Sequence, residues 1–275
     1  MRCMIFIADA FDRREIDQLG VTRVRVLLGL GGTSTYTYFD VAESDAAWPA
    51  VRDWAKRRKP SDSVTTSFSK PEITAAGWLE VASDWHHGYP QPEDDFGYLE
   101  VTFDLTDYCA ECGTGARQSA PFRMRGEPRW GRRAILQLNW EFGDYFVLPE
   151  VWLAVFKPHG VLHRPVTNRK GVELKTVVQL VVDEQIAVVT DGLTGQPCPT
   201  CGVTKYLPVT RGPAPALVTR PTGHMARTRE WFGSGHGAYR AVLISRSLRE
   251  ALEANGVRGA SVIPVAEGRR DPGPT

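Results

Sequence analysis

Apolar and polar positions along the chain change period several times, and each change predicts an element. Over 3–8 the apolar run Cys-Met-Ile-Phe-Ile-Ala predicts a buried strand. Over 21–28, Val24 and Val26 alternate with Arg23 and Arg25, the two-residue period of a strand with one wet face. The glycine-rich stretch 29–34 precedes Thr35-Tyr36-Thr37-Tyr38-Phe39, which reads as another strand. Lacking both a lysine and a following helix, that stretch predicts a hairpin turn rather than a phosphate loop. Trp48, Val51, Trp54 and Ala55 recur at helical spacing within 45–58, and Lys56-Arg57-Arg58-Lys59 closes that helix where cations suit its dipole. Ser69-Lys70-Pro71-Glu72 reads as a second helix start. A strand from Trp78 to Val81 and a polar loop from His86 to Asp95 follow.

The C-terminal part repeats one pattern. A strand over 145–148, a short helix over 149–156, a turn ending in Gly160 and a strand over 161–166 make the first copy. A strand over 240–244, a helix over 245–254, a turn at Asn255-Gly256 and a strand over 260–265 make the second, and both copies end in Pro-Val. Pro149 suits a first helical turn and Pro158 stops the helix. Ser247-Leu248-Arg249-Glu250 reads as a capping box, and Asn255-Gly256 as a helix stop.

The cysteines change the picture most. Four of the five form two pairs of one spacing, each followed by glycine: Cys109-Ala110-Glu111-Cys112-Gly113 and Cys198-Pro199-Thr200-Cys201-Gly202. Two residues between thiolates let both sulfurs of a tight turn face one tetrahedral ion, and the glycine permits the positive φ that closes the turn. Two such knuckles supply four ligands, which points to one structural Zn2+ held by Cys109, Cys112, Cys198 and Cys201. A redox dithiol would place its Cys-x-x-Cys at a helix start after a strand, and here turn and strand follow each pair. Disulfides within each pair, or thiols without metal, remain open as alternatives. Cys3 reads as a small core residue.

The expected class is therefore α+β. A small α+β module over 1–104 precedes a region over 105–266 that carries two copies of knuckle plus strand-helix-strand around one shared four-cysteine zinc site. The charged, Gly- and Pro-bearing stretch 267–275 reads as a disordered tail.

Composition narrows the function without naming it. The 275 residues carry 33 Lys+Arg against 32 Asp+Glu, a formal net charge of +1, which gives no general pull toward nucleic acid or anionic membranes. No run reaches the ~18 apolar residues of a membrane span, and the N-terminal apolar run is short for a signal peptide. The expectation is a cytoplasmic protein.

Other candidate chemistry is weaker. His86 and His87 stand beside Asp84, Glu93, Asp94 and Asp95, but adjacent histidines do not share a face and the spacing fits no standard motif. The glycine-rich Phe232-Gly233-Ser234-Gly235-His236-Gly237 offers backbone N–H groups to an anion, although a flexible loop is the simpler reading. Trp130, Trp140, Tyr145, Phe146, Trp152 and Phe156 read as core rather than as a base-stacking surface. No Gly-x-Ser-x-Gly elbow or His-Glu-x-x-His motif occurs.

At the paired Cys-x-x-Cys-Gly motifs and the closing segment 242–265, the chain resembles the bacterial double-CxxCG motif family. The resemblance covers 105–266 and carries the family's paired cysteines over to Cys109, Cys112, Cys198 and Cys201. It implies an immunity protein that neutralises a cognate toxin by direct binding, with a protein partner, no nucleic acid, no membrane and no catalysis. The acidic stretches 84–95 and 183–184 would then suit a basic toxin. Two other readings stand beside it. One is a zinc-knuckle regulatory module that binds nucleic acid through the basic runs 123–133 and 220–229. The other is an enzyme that uses the loop from His86 to Asp95.

Overall fold

The computed structural model describes residues 2–7, 12–22, 24–28 and 35–267. The glycine-rich turn at 29–34, the side chain of Cys3 and the tail from 268 lie outside the described residues. The chain forms two compact units, Met1–Ser69 with Thr210–Pro213, and Lys70–Val209 with Ala214–Thr275.

The first unit runs β1 (Arg2–Ile7), α1 (Asp12–Gln18), β2 (Val24–Leu28), β3 (Thr35–Ala42), α2 (Trp48–Arg58) and β4 (Ser61–Thr65). Its sheet order is β2-β3-β1-β4 with every neighbour antiparallel. That is the split βαβ arrangement of ferredoxin-like folds, in which each helix joins two parallel strands across an antiparallel one. The two-residue period of β3 buries Thr37, Phe39 and Val41 on one face. Phe39 and Val41 pack against Ile16 of α1 and Val51 and Trp54 of α2. Glu15 ties the helices together, accepting from the Trp54 indole N–H and from Arg58 Nε, each at 3.0 Å. The basic helix end therefore carries an internal ion pair as well as a solvated face.

The second unit holds α3 (Lys70–Ala75), β5 (Trp78–Ser83), β6 (Ile135–Leu138) and β7 (Glu141–Val147), then a helical segment over 149–159. It continues with β8 (Leu162–Asn168), β9 (Glu173–Val181), β10 (Met225–Thr228), β11 (Val242–Ser245), α4 (Arg246–Ala254) and β12 (Ala260–Pro264). One five-stranded sheet runs Arg123–Met124, β8, β9, β7, β6, and the other runs Gln185–Ile186, β10, β11, β5, β12. The division between units thus falls at 69/70 rather than at the expected 104/105. The physical reason is β5, which pairs on both sides with strands from the far end of the chain, β11 and β12.

The two strand-helix-strand segments have the same local design. β7 and β8 flank the antiparallel β9, and β11 and β12 flank the antiparallel β5. Alternate residues serve opposite faces. Tyr145, Val147, Val242 and Ile244 enter one core shared by both sheets, with Val155 and Phe156 of the helical segment and Leu248 of α4, while Phe146 and Leu243 face the outer clusters. Burying each such Leu, Ile, Val or Phe contributes about 1.5–3 kcal/mol before entropy is charged against it.

Both helices also end alike. Gly160 (φ 74°) donates to Lys157 O and Val161 to Phe156 O, as Gly256 (φ 61°) donates to Glu253 O and Val257 to Leu252 O. These bonds are a Schellman motif, which needs a left-handed residue and so selects glycine. The starts differ. The helical segment begins with Pro149 in its first turn and passes through a π-helical stretch at Trp152–Phe156. α4 is capped by Ser245, whose Oγ accepts from Leu248 N–H at 3.3 Å, and not by Ser247 of the expected capping box. β11 runs to Ser245 in extended conformation, and this places the cap two residues earlier.

Candidate metal centre

Each Cys-x-x-Cys-Gly motif sits at the tip of an antiparallel hairpin. Phe103–Asp104 pairs with Arg117–Gln118 below the first, and Gly195–Pro197 pairs with Thr204–Tyr206 below the second. The two turns share their closing bonds, although only the first adds Cys112 N–H to Cys109 O at 3.2 Å. Gly113 N–H donates to Cys109 O at 2.7 Å and Gly202 N–H to Cys198 O at 2.9 Å, with φ of 76° at both glycines. Cys109 N–H reaches Thr114 O and Cys198 N–H reaches Val203 O, so each first cysteine also closes its hairpin. The backbone N–H groups of Glu111 and Cys112 point at the Cys109 sulfur, and those of Thr200 and Cys201 at the Cys198 sulfur. Such N–H groups stabilise thiolate charge.

The hairpins bring the four sulfurs together across 89 positions of sequence. Cys109 Sγ lies 3.9 Å from Cys198 Sγ and Cys112 Sγ 3.5 Å from Cys201 Sγ, and all four sulfurs fall within 4.8 Å of one another. Zn–S bonds of about 2.3 Å in a tetrahedron would set sulfurs about 3.8 Å apart. These separations are far longer than a disulfide bond of about 2.05 Å, and all four cysteines are free. The group is able to hold a metal ion, and it is the one such set of His, Cys, Asp or Glu side chains among the described residues. Cys109, Cys112 and Cys198 are buried while Cys201 is exposed.

Electrostatics inside the cluster are uneven. Burial raises the Cys112 thiol, but the Thr114 hydroxyl and N–H and the neighbouring thiols outweigh it and bring it down to about 6. The Cys112 N–H favours the Cys109 thiolate, yet burial and the Cys112 and Cys201 thiols push it up to about 11. The N–H groups of Cys201 and Thr200 likewise lower Cys198, so thiolates form readily at Cys112 and Cys198 while Cys109 is held back, a conflict that a divalent cation removes.

Three further residues frame the centre: Thr114 and Lys205, which sequence reading passes over, and His236, which it places in a glycine-rich loop without linking it to the cysteines. Thr114 is buried with its Oγ1 3.1 Å from Cys112 Sγ. Lys205 Nζ donates to Cys112 O and to Gly235 O, both at 3.2 Å, which joins the second hairpin to the first knuckle and to the Gly235–Gly237 turn. His236 of that turn packs on the first knuckle so closely that a Cβ on Gly113 would meet its Cα at 3.0 Å. A lysine beyond a cysteine pair carries no sequence signal of its own; its role follows from the fold.

The remaining candidates do not converge. The His86 ring packs on Phe142 and the His87 ring on Trp85, so the two histidines face different neighbours. Glu93 is held by Gln91 and Arg125. Glu184 accepts from Thr222 and Gly223 N–H. From the basic runs, Arg133 lies over Trp85 and Arg227 turns inward toward Asp144. Trp130, Tyr145, Phe146 and Phe156 are buried, and Trp140 and Trp152 partly so. Among the described residues no helix is long and apolar enough to cross a membrane. No family model, curated protein or solved structure matches this chain.

Proposed function

We propose that Cys109, Cys112, Cys198 and Cys201 hold one structural Zn2+. We further propose that the protein is a non-catalytic, cytoplasmic immunity protein that neutralises a cognate toxin by direct binding. The observation that carries the metal half is the sulfur set itself, four soft ligands at the spacing of one tetrahedral ion. Four thiolates close the coordination sphere, so the bound ion would cross-link two hairpins and offer no position to a substrate.

We read the second unit as a duplication. Its supports are the pairing of first cysteine with first and second with second, the two split strand-helix-strand segments and the shared Schellman ends. The toxin half is supported by the resemblance of 105–266 to the double-CxxCG family. It needs only shape and charge complementarity on a rigid scaffold. The nucleic-acid reading is weakened because Arg125 and Arg227, one from each basic run, are engaged with Glu93 and Asp144.

Metal analysis of the purified chain should find one zinc, and Cys198→Ser should lose zinc and cooperative unfolding together. A wild type that folds without metal overturns the centre. Co-expression with the product of a neighbouring gene should rescue growth of the host; a neighbouring product that is harmless alone overturns the toxin reading.

A further inference from the structure

Beside the first knuckle, the second unit contains a cleft of about 710 Å³, a size that suits a small ligand. Glu141 and Asp144 of β7 line it together with Arg227 of β10 and Arg240, which precedes β11. Three of these four charged side chains already have partners. Asp144 accepts from Gln179 Nε2 at 3.0 Å and lies 3.6 Å from Arg227 Nη2, while Arg227 Nε donates to Val182 O at 2.8 Å. Tyr98 hydrogen-bonds to Glu141.

Arg240 is the exception. Its Nε is buried without a hydrogen-bond partner, and no ion pair reaches it among the described residues. Its guanidinium lies over Trp231, with Cζ 4.8 Å from the ring centroid. A guanidinium with its Nε buried against a ring face and no hydrogen-bond acceptor there is costly, and such a group persists where something else completes it. The cleft also carries aromatic wall. Phe142 and Tyr239 line it edge to face at 6.4 Å, and Trp140 holds a left-handed φ of 71° at its rim, an unfavourable conformation for so bulky a residue.

We propose that this cleft binds a small planar organic anion, an aromatic ring bearing a carboxylate or phosphate, with Arg240 taking the anionic group and Phe142 and Tyr239 facing the ring. Two electrostatic observations agree. Burial, and then the neighbouring Arg227, work against the charge on Arg240 and outweigh the help it receives from Glu230. Burial, and then Asp144, push Glu141 up to about 8, which removes most of its negative charge from the cleft at neutral pH. The inference does not depend on the toxin reading.

The test titrates the full-length, metal-loaded protein with phenyl phosphate and benzoate, following tryptophan fluorescence and calorimetry, with phenol and inorganic phosphate alongside. Both ring anions should bind, phenol and inorganic phosphate each at least about tenfold more weakly. Arg240→Gln should weaken the ring anions by about tenfold or more, the usual loss for a charge-assisted hydrogen bond. Trp231→Phe should reduce the fluorescence change, with Trp140 supplying the remainder, while calorimetry still reports binding. If Arg240→Gln does not fold, the wild-type comparison of phenyl phosphate with phenol stands in for it. Ring anions that bind no better than phenol, or equally well to Arg240→Gln, overturn the site. Inorganic phosphate that binds as tightly as phenyl phosphate overturns the assignment of a ring-bearing ligand.

Discussion

Gly113, Gly115 and Gly202 all have positive φ, yet they face different surroundings. A Cβ on Gly115 (φ 99°) would fall 1.9 Å from Asp107 O, inside the first hairpin, whereas one on Gly202 (φ 76°) meets nothing within 4 Å. Gly115→Ala should therefore break the first knuckle, lowering stability by about 3 kcal/mol or more, while Gly202→Ala should cost only the left-handed strain of about 1 kcal/mol. Chemical denaturation of the two variants decides this, and equal losses would refute it. Glu80, on β5, is pushed up from 4.5 to about 7 by burial. Between those values the folded state binds the extra proton, so its contribution to stability is present at low pH and lost as pH rises through 7. Glu80→Gln should raise stability at pH 8 relative to pH 5 by about 2 kcal/mol compared with wild type, an unchanged pH slope being the refuting result. At this scale the sequence was legible for the grouping of the four cysteines, because the Cys-x-x-Cys-Gly spacing is local. Arg240, Lys205 and Thr114 were not legible, because their roles arise from neighbours far along the chain.

The elements were read best where one period dominates. The strands over 35–39 and 78–81 and the helix over 45–58 correspond to β3, β5 and α2, whose alternation or helical stripe is strong. Helix ends were read from residue chemistry, and the glycine stops at Gly160 and Gly256 match because a Schellman turn selects glycine. The span of α4 was read to within a residue, but its cap was assigned to Ser247 because two serines compete for it. Ser245 holds the Leu248 N–H and also lies 2.9 Å from His224 Nδ1. Ser245→Ala should cost about 1 kcal/mol, about 3 °C in Tm, and Ser247→Ala clearly less. A calorimetric scan that ranks them the other way would restore Ser247 as the cap. The short strands at 103–104, 117–118 and 195–197 had no legible period at all, since two or three residues cannot display one.

Across the whole molecule, the α+β class was legible but the division between units was not. Sequence reading assigns a segment to its neighbours in the chain, and β5 is claimed instead by partners far away: Val81 pairs with both Val242 and Val262. The same long-range logic governs the four-cysteine cluster, whose sulfurs come from hairpins 89 positions apart. Loop-closure entropy must be overcome before either set of contacts gives any return, which slows folding. For β5 this has a further consequence during synthesis. Until β11 has emerged the strand waits with both edges bare, and one edge stays open until β12 has paired, a template for any other chain. A chain interrupted anywhere before β11 would be left not as a smaller working protein but as an exposed, adhesive strand, so quality control of this molecule is in effect decided over its last two strands.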